Sequence, residues 1–96
     1  MSVKKDYLHK LEVEISEWDK KINELTVLAD KAKPEDKAEA IEHIEHLKAK
    51  QDLVRKKQEE LQQAHESIWE GLKDGIDSIF DDMLSYSETL FSKFKD

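Results

Sequence analysis

Apolar residues recur along the first third of the chain at alternating intervals of three and four: Leu8, Leu11, Ile15, Trp18, Ile22, Leu25, Ala29 and Ala32. This is the a/d seam of a heptad repeat, and it predicts a helix over about residues 3–33 with one apolar edge and a charged outer face. The pattern stops at KAKPEDK. Pro34 disfavours helical geometry at Lys33 but suits the first position of a new helix, where Glu35 and Asp36 meet the positive end of the helix dipole. The second helix then runs from Pro34 to about residue 72. Ala40, Ile44, Leu47, Val54, Leu61 and Ile68 hold its heptad register, and Gln51, Gln58 and His65 take the alternate positions.

So short a connection makes the two helices antiparallel neighbours. Pairing about Lys33 and Pro34 sets Leu25 opposite Ile44, Ile22 opposite Leu47, Ile15 opposite Val54 and Leu8 opposite Leu61. Trp18 faces Gln51 and Leu11 faces Gln58 in the same register. The hairpin spans roughly 45 Å at about 1.5 Å per residue. Trp18, at a d position, is expected in the core with its indole N–H reaching Gln51, and His65 is expected as a polar seam residue near a helix end. Polar residues in such a seam weaken it but specify register.

Helix 1 is used up by the time helix 2 reaches His65, so Ile68, Trp69, Leu72 and all that follows overhang. Beyond them Ile76, Ile79, Phe80, Met83, Leu84, Leu90, Phe91 and Phe94 share one side of a helical wheel, interrupted only by Ser87. Asp77, Ser78, Asp81, Asp82, Ser85, Glu88, Ser92 and Lys95 fill the other side. This is an amphipathic helix over about residues 75–95, and its apolar face requires a cover. Both glycines of the chain lie just before it, in GLKDG at residues 71–75. Each costs about 1 kcal/mol relative to alanine inside a helix, and Asp74 or Asp77 can cap a new start, which favours a bend or turn there. Against the turn, Trp69 and Leu72 continue the stripe of Ile76 and Phe80 in phase. The seam of helix 2 passes through Ile68 rather than Trp69, so the stripe shifts by one residue.

Ninety-six residues bound the chain to a single domain, residues 1–96, with a thin core. Charged residues make up 41% of it, with two Gly and one Pro, which is the profile of long solvated helices. The absence of cysteine removes disulfides, thiolate metal sites and cysteine nucleophiles. The longest apolar run, Val27-Leu28-Ala29, is too short for a signal peptide or a membrane span, so the expectation is a soluble cytoplasmic protein. The net charge of −7 disfavours nucleic acid and anionic lipid.

Chemistry has few footholds. In IEHIEHL, residues 41–47, His43 and His46 follow Glu39 and Glu42 at i+4, but a metal site needs three or four converging ligands, and of Asn23, Glu24 and Thr26 opposite on helix 1 only Glu24 is a good one. The histidines read as solvated residues flanking the seam. Arg55-Lys56-Lys57 is followed at once by Glu59-Glu60, the pattern of a solvated helix face. No phosphate loop or nucleophile with a base is present, and no cofactor, metal or small-molecule substrate is expected.

The runs YLHKLEVEISEWDKKINELTVLADKA, IEHLKAKQD, IWEGLKDGIDSIFDDM and SKFK together resemble the small uncharacterised bacterial coiled-coil proteins described as stress-associated or apolipoprotein-like. The resemblance implies a cytoplasmic helical protein with no catalytic or cofactor residues to carry over. Gly71 stands where such proteins more often have a helix-favouring residue, which speaks for the bend. The expected architecture is all-α: an antiparallel coiled-coil hairpin plus an amphipathic helix, or a three-helix bundle if that helix folds back. The expected role is that of a non-enzymatic interaction or scaffold protein. It forms a homo-oligomer or binds a partner protein through Trp69, Leu72, Ile76, Ile79, Phe80, Met83, Leu84, Leu90, Phe91 and Phe94. The alternative is peripheral lipid binding by the same helix, disfavoured by its acidic polar face.

Overall fold

The computed structural model describes residues 3–94, the side chain of Glu66 excepted. Three helices of nearly equal length make up this region: α1 (Val3–Asp30), α2 (Pro34–Gln63) and α3 (Glu66–Phe94). They lie side by side in a bundle measuring 49 × 18 × 17 Å. The tail helix therefore folds back on its own hairpin, and the third helix completes a core that two helices leave open.

The first turn forms where the proline places it. Lys33 is extended (φ −63°, ψ 149°), Pro34 is the first residue of α2, and the Lys33 carbonyl accepts from the Asp36 and Lys37 amides at 2.9 Å each. α1 stops at Asp30, three residues before the expected end, and finishes on tightened bonds from Lys31 to the Leu28 carbonyl and from Ala32 to that of Ala29. The expected end of the tail at residue 95 lies outside the described residues.

The second break corrects the sequence reading. α2 ends at Gln63 and not near residue 72, and GLKDG lies inside α3 with negative φ at both glycines. The chain turns instead at Ala64 and His65, where Ala64 is extended (φ −75°, ψ 144°) and its N–H bonds back to Leu61. His65 is exposed in this connection rather than part of the seam, and Ile68 is 57% exposed. Lys4 supplies what the local sequence lacks. Its ammonium donates to the carbonyls of Ala64 at 2.5 Å and Gln62 at 3.3 Å, placing a cation at the negative end of α2.

An added Cβ at Gly71 or Gly75 would meet nothing within 4 Å. Replacing both with alanine is therefore expected to stabilise the fold by about 1–2 kcal/mol, by lowering the entropy of the unfolded chain. Urea denaturation checks this, and a loss of stability would mean that GLKDG needs a non-helical backbone.

The predicted hairpin register holds. Gln51 is buried and donates to the Ile15 carbonyl at 2.8 Å and to the Asp19 carboxylate at 3.0 Å, so the two helices pair as the heptads require. Asp19 also accepts both bonds from Arg55 Nη2 at 2.7 Å. The expected Trp18–Gln51 contact is replaced by these bonds, because the amide reaches the backbone one turn before the indole and the carboxylate one residue after it. Leu11, Leu25, Leu47, Val54 and Leu61 are at most 1% exposed and form the hairpin's share of the core. Ile76, Met83 and Leu90, each fully buried, form the share of α3.

Candidate interaction surface

The apolar stripe of α3 is wider than the face its hairpin covers. Ile76, Met83 and Leu90 run down its centre, Ile79 and Phe80 beside them are 9% exposed, and Leu84 at one edge is 43% exposed. Trp69, Leu72, Phe91 and Phe94 are half-buried against the core. Most of the stripe read as a partner surface is thus internal, because the third helix covers the hairpin from within the same chain. Trp69 lines the packed end of the bundle, its ring 6.1 Å from that of Tyr7.

The two edges of the stripe are both grooved but lined differently: the α2 edge holds clefts of about 700 Å³ beside Tyr86 and about 480 Å³ beside Asp82, lined mostly by polar residues. Tyr86 forms one edge and is covered by α2, with the His46 ring at 4.0 Å and the His43 ring at 5.4 Å. Ion pairs reinforce that side, Lys50 with Asp82 at 3.3 Å and Lys93 with Glu39, and His46 Nε2 lies 3.5 Å from the same Asp82 carboxylate. The histidines of IEHIEHL are therefore engaged with an aromatic ring, His43 Nδ1 lying 2.9 Å from the Glu39 carbonyl as well. Among the described residues no group of three or more His, Asp and Glu is arranged to hold a metal ion.

The opposite edge faces α1. α1 and α3 approach each other less closely than either approaches α2, and near Trp69 they are joined by the Tyr7 hydroxyl donating to Asp77 at 3.0 Å. Burial first, then this bond to Asp77, raises the pKa of the tyrosine. Farther along, α1 presents Glu14, Trp18 and Lys21, about one residue per turn, where a closed seam needs aliphatic side chains. The result is a cleft of about 390 Å³ bounded by Glu14, Glu17, Trp18 and Lys21 on α1 and by Phe80, Asp81 and Leu84 on α3.

Trp18 is consequently half-buried and lines this cleft, although its d position placed it in the hairpin core. The Lys21 ammonium lies 5.0 Å from the centroid of its ring, within the range of a cation–π contact. Sequence reasoning read Glu14, Glu17 and Lys21 as the solvated outer face of α1 and Asp81 as the polar face of α3, and so did not bring them into a site. Their signal was the recurrence of Glu14, Trp18 and Lys21 on one helical face, beside the core rather than in it.

Partial burial raises the Glu14 pKa, and the nearby Asp77 and Glu17 raise it further while Lys10 opposes them. A carboxyl that holds its proton more tightly folded than unfolded costs stability once it ionises. The cost is absent below the ordinary carboxylate range, grows as pH rises through the raised pKa, and is full above it. Glu14→Gln is therefore expected to raise the melting temperature at about pH 7 and to leave it unchanged near pH 3. Thermal denaturation at the two pH values checks the sign.

The cleft can hold an apolar side chain between an indole and a leucine and can attract a cation. Comparison with family models, curated proteins and solved structures finds no match for this chain. No described helix is long and apolar enough to cross a membrane.

Proposed function

We propose that this chain is a non-enzymatic interaction protein that docks a partner protein along the seam between α1 and α3. The observation that carries this reading is the apolar lining of the cleft on the α1 edge of the α3 stripe. The clefts on its α2 edge are lined by polar and charged side chains apart from Tyr86 and Ile79, while on its α1 edge Leu84 stays 43% exposed opposite a half-buried Trp18, with Phe80 beneath them. Buried aromatic anchors at the centre of an apolar patch, rimmed by polar residues, are the usual form of a protein-binding hot spot. The polar groups of the cleft are carboxylates and one ammonium, suited to orienting a partner rather than to attacking a substrate.

Of the two occupants expected from sequence, a second copy and a different protein, the charge favours the different protein. Two copies meeting at this seam would set a rim of three carboxylates and one ammonium against the same rim, and like charges in an interface oppose association. Lipid binding by α3 would require its stripe to leave the core, and its polar face is acidic. The test is site-specific photocrosslinking inside the source cells. A photoreactive residue at position 84 is expected to give one discrete adduct with another protein, lost in Trp18→Asp, and the same residue at position 53 on α2 none. Equal adducts at both positions, or an adduct only at twice the chain mass, would overturn the reading.

A further inference from the structure

The rim of the proposed seam carries enough charge to say what kind of helix would lie there, and the inference rests on the docking reading just given. Glu14 and Glu17 stand on the α1 bank and Asp81 on the α3 bank, with Lys21 as the one cation of the cleft. That lysine already displays how the site takes positive charge, its ammonium lying over the Trp18 ring. Farther along the same seam Asp77 accepts from Tyr7 and pairs with Lys73 at 3.3 Å; it and Glu17 add negative field at Glu14, which Lys10 opposes. The cleft is therefore apolar at its floor and acidic along both banks.

A helix laid in this seam would put its apolar residues between Trp18 and Leu84, over Phe80. Its flanking positions, about 100° around the helix on either side of that stripe, would then face the carboxylates. We infer that the occupant is an amphipathic helix of another protein whose apolar stripe is flanked by lysine or arginine. Opposite charge across a rim speeds encounter and fixes register, and it rejects helices with acidic flanks, a second copy of this acidic chain among them.

The experiment uses the full chain, labelled for NMR, and three peptides of about 18 residues, or five helical turns. They share one leucine stripe and carry Lys, Gln or Glu at the flanking positions. The Lys peptide is expected to shift the Trp18 indole and Leu84 signals and to bind at least about tenfold more tightly than the Glu peptide, with the preference shrinking as salt is added. Glu14→Gln, Glu17→Gln and Asp81→Asn combined should remove that preference. Glu14→Gln is expected to stabilise the fold and Glu17 and Asp81 are exposed, so the triple variant should stay folded, which its thermal denaturation checks. If the Lys and Glu peptides bind the seam alike, or the triple variant keeps the preference, the basic partner is wrong and the docking seam survives. Shifts from the Lys peptide spread over the other acidic faces would overturn the inference as well. If none of the three peptides moves Trp18 or Leu84, the seam reading falls together with it.

Discussion

A chain ending at Glu70 is expected to lose cooperative unfolding. Truncation there removes Ile76, Ile79, Phe80, Met83 and Leu90 and exposes the faces of α1 and α2 that they cover. Burying such a side chain contributes about 1.5–3 kcal/mol, so five of them amount to roughly 10 kcal/mol, as much as the whole net stability of a typical domain. The remaining hairpin would keep its heptad seam but carry a wide apolar flank. Circular dichroism against temperature should show a broad, non-cooperative loss of helix in place of a sharp transition, and light scattering should show association. A truncated chain that melts as sharply as the full one, as a monomer, would mean that α3 is not part of the core and that its stripe is free for a partner.

The second large effect separates the centre of the stripe from its edge. Met83 is fully buried, and Met83→Ala is expected to cost about 2–5 kcal/mol through lost burial and the cavity left behind. Leu84, the next residue, is 43% exposed, and Leu84→Ala should cost under about 1 kcal/mol. Urea denaturation of the two variants measures the difference. Similar costs would mean that α3 is rotated about its axis, since adjacent helical residues lie about 100° apart. The pair also separates folding from function: Leu84→Ala should weaken partner docking in a chain that still folds.

Much of this architecture was legible in the sequence because its elements are local. The alternating three and four spacing from Leu8 to Ala29 marked α1, Pro34 marked the first turn, and pairing about that turn gave the register that Gln51 realises with Ile15 and Asp19. The second turn was misplaced for a physical reason. Two glycines in GLKDG cost about 1 kcal/mol each as helix, which a local reading takes as a break, but burial of Ile76 and Phe80 and the half-burial of Leu72 outweigh that cost. The true turn at Ala64 and His65 contains neither glycine nor proline. Its signal was the one-residue shift of the stripe between Ile68 and Trp69: a helix that changes its buried face without a bulge has ended and begun again.

The candidate surface was legible in a different way. The ten stripe residues form one apolar face, as expected, and α3 is helical through all of them. Which of them stay near the surface depends on how far around that face α1 and α2 reach. Trp18 shows the same limit from the other side, since its heptad letter promised burial between two helices and a third helix arriving beside α1 made it the wall of a cleft.

The sequence by itself determined that the chain is all-α, that its first two helices pair in antiparallel register, and that its last helix has one apolar face in need of cover. These follow from side-chain spacing along a helix, which repeats every few residues and needs no knowledge of distant parts of the chain. Only the tertiary structure decided that the cover comes from the chain's own hairpin and that the second turn falls at Ala64 and His65. It also decided that Tyr86 packs against the rings of His43 and His46 while Trp18 and Leu84 face a cleft on the other side. Those outcomes depend on contacts between residues up to 70 positions apart, such as Tyr7 with Asp77, and on the bundle's three seams not being filled alike. A residue's neighbours within its own helix carry no information about either.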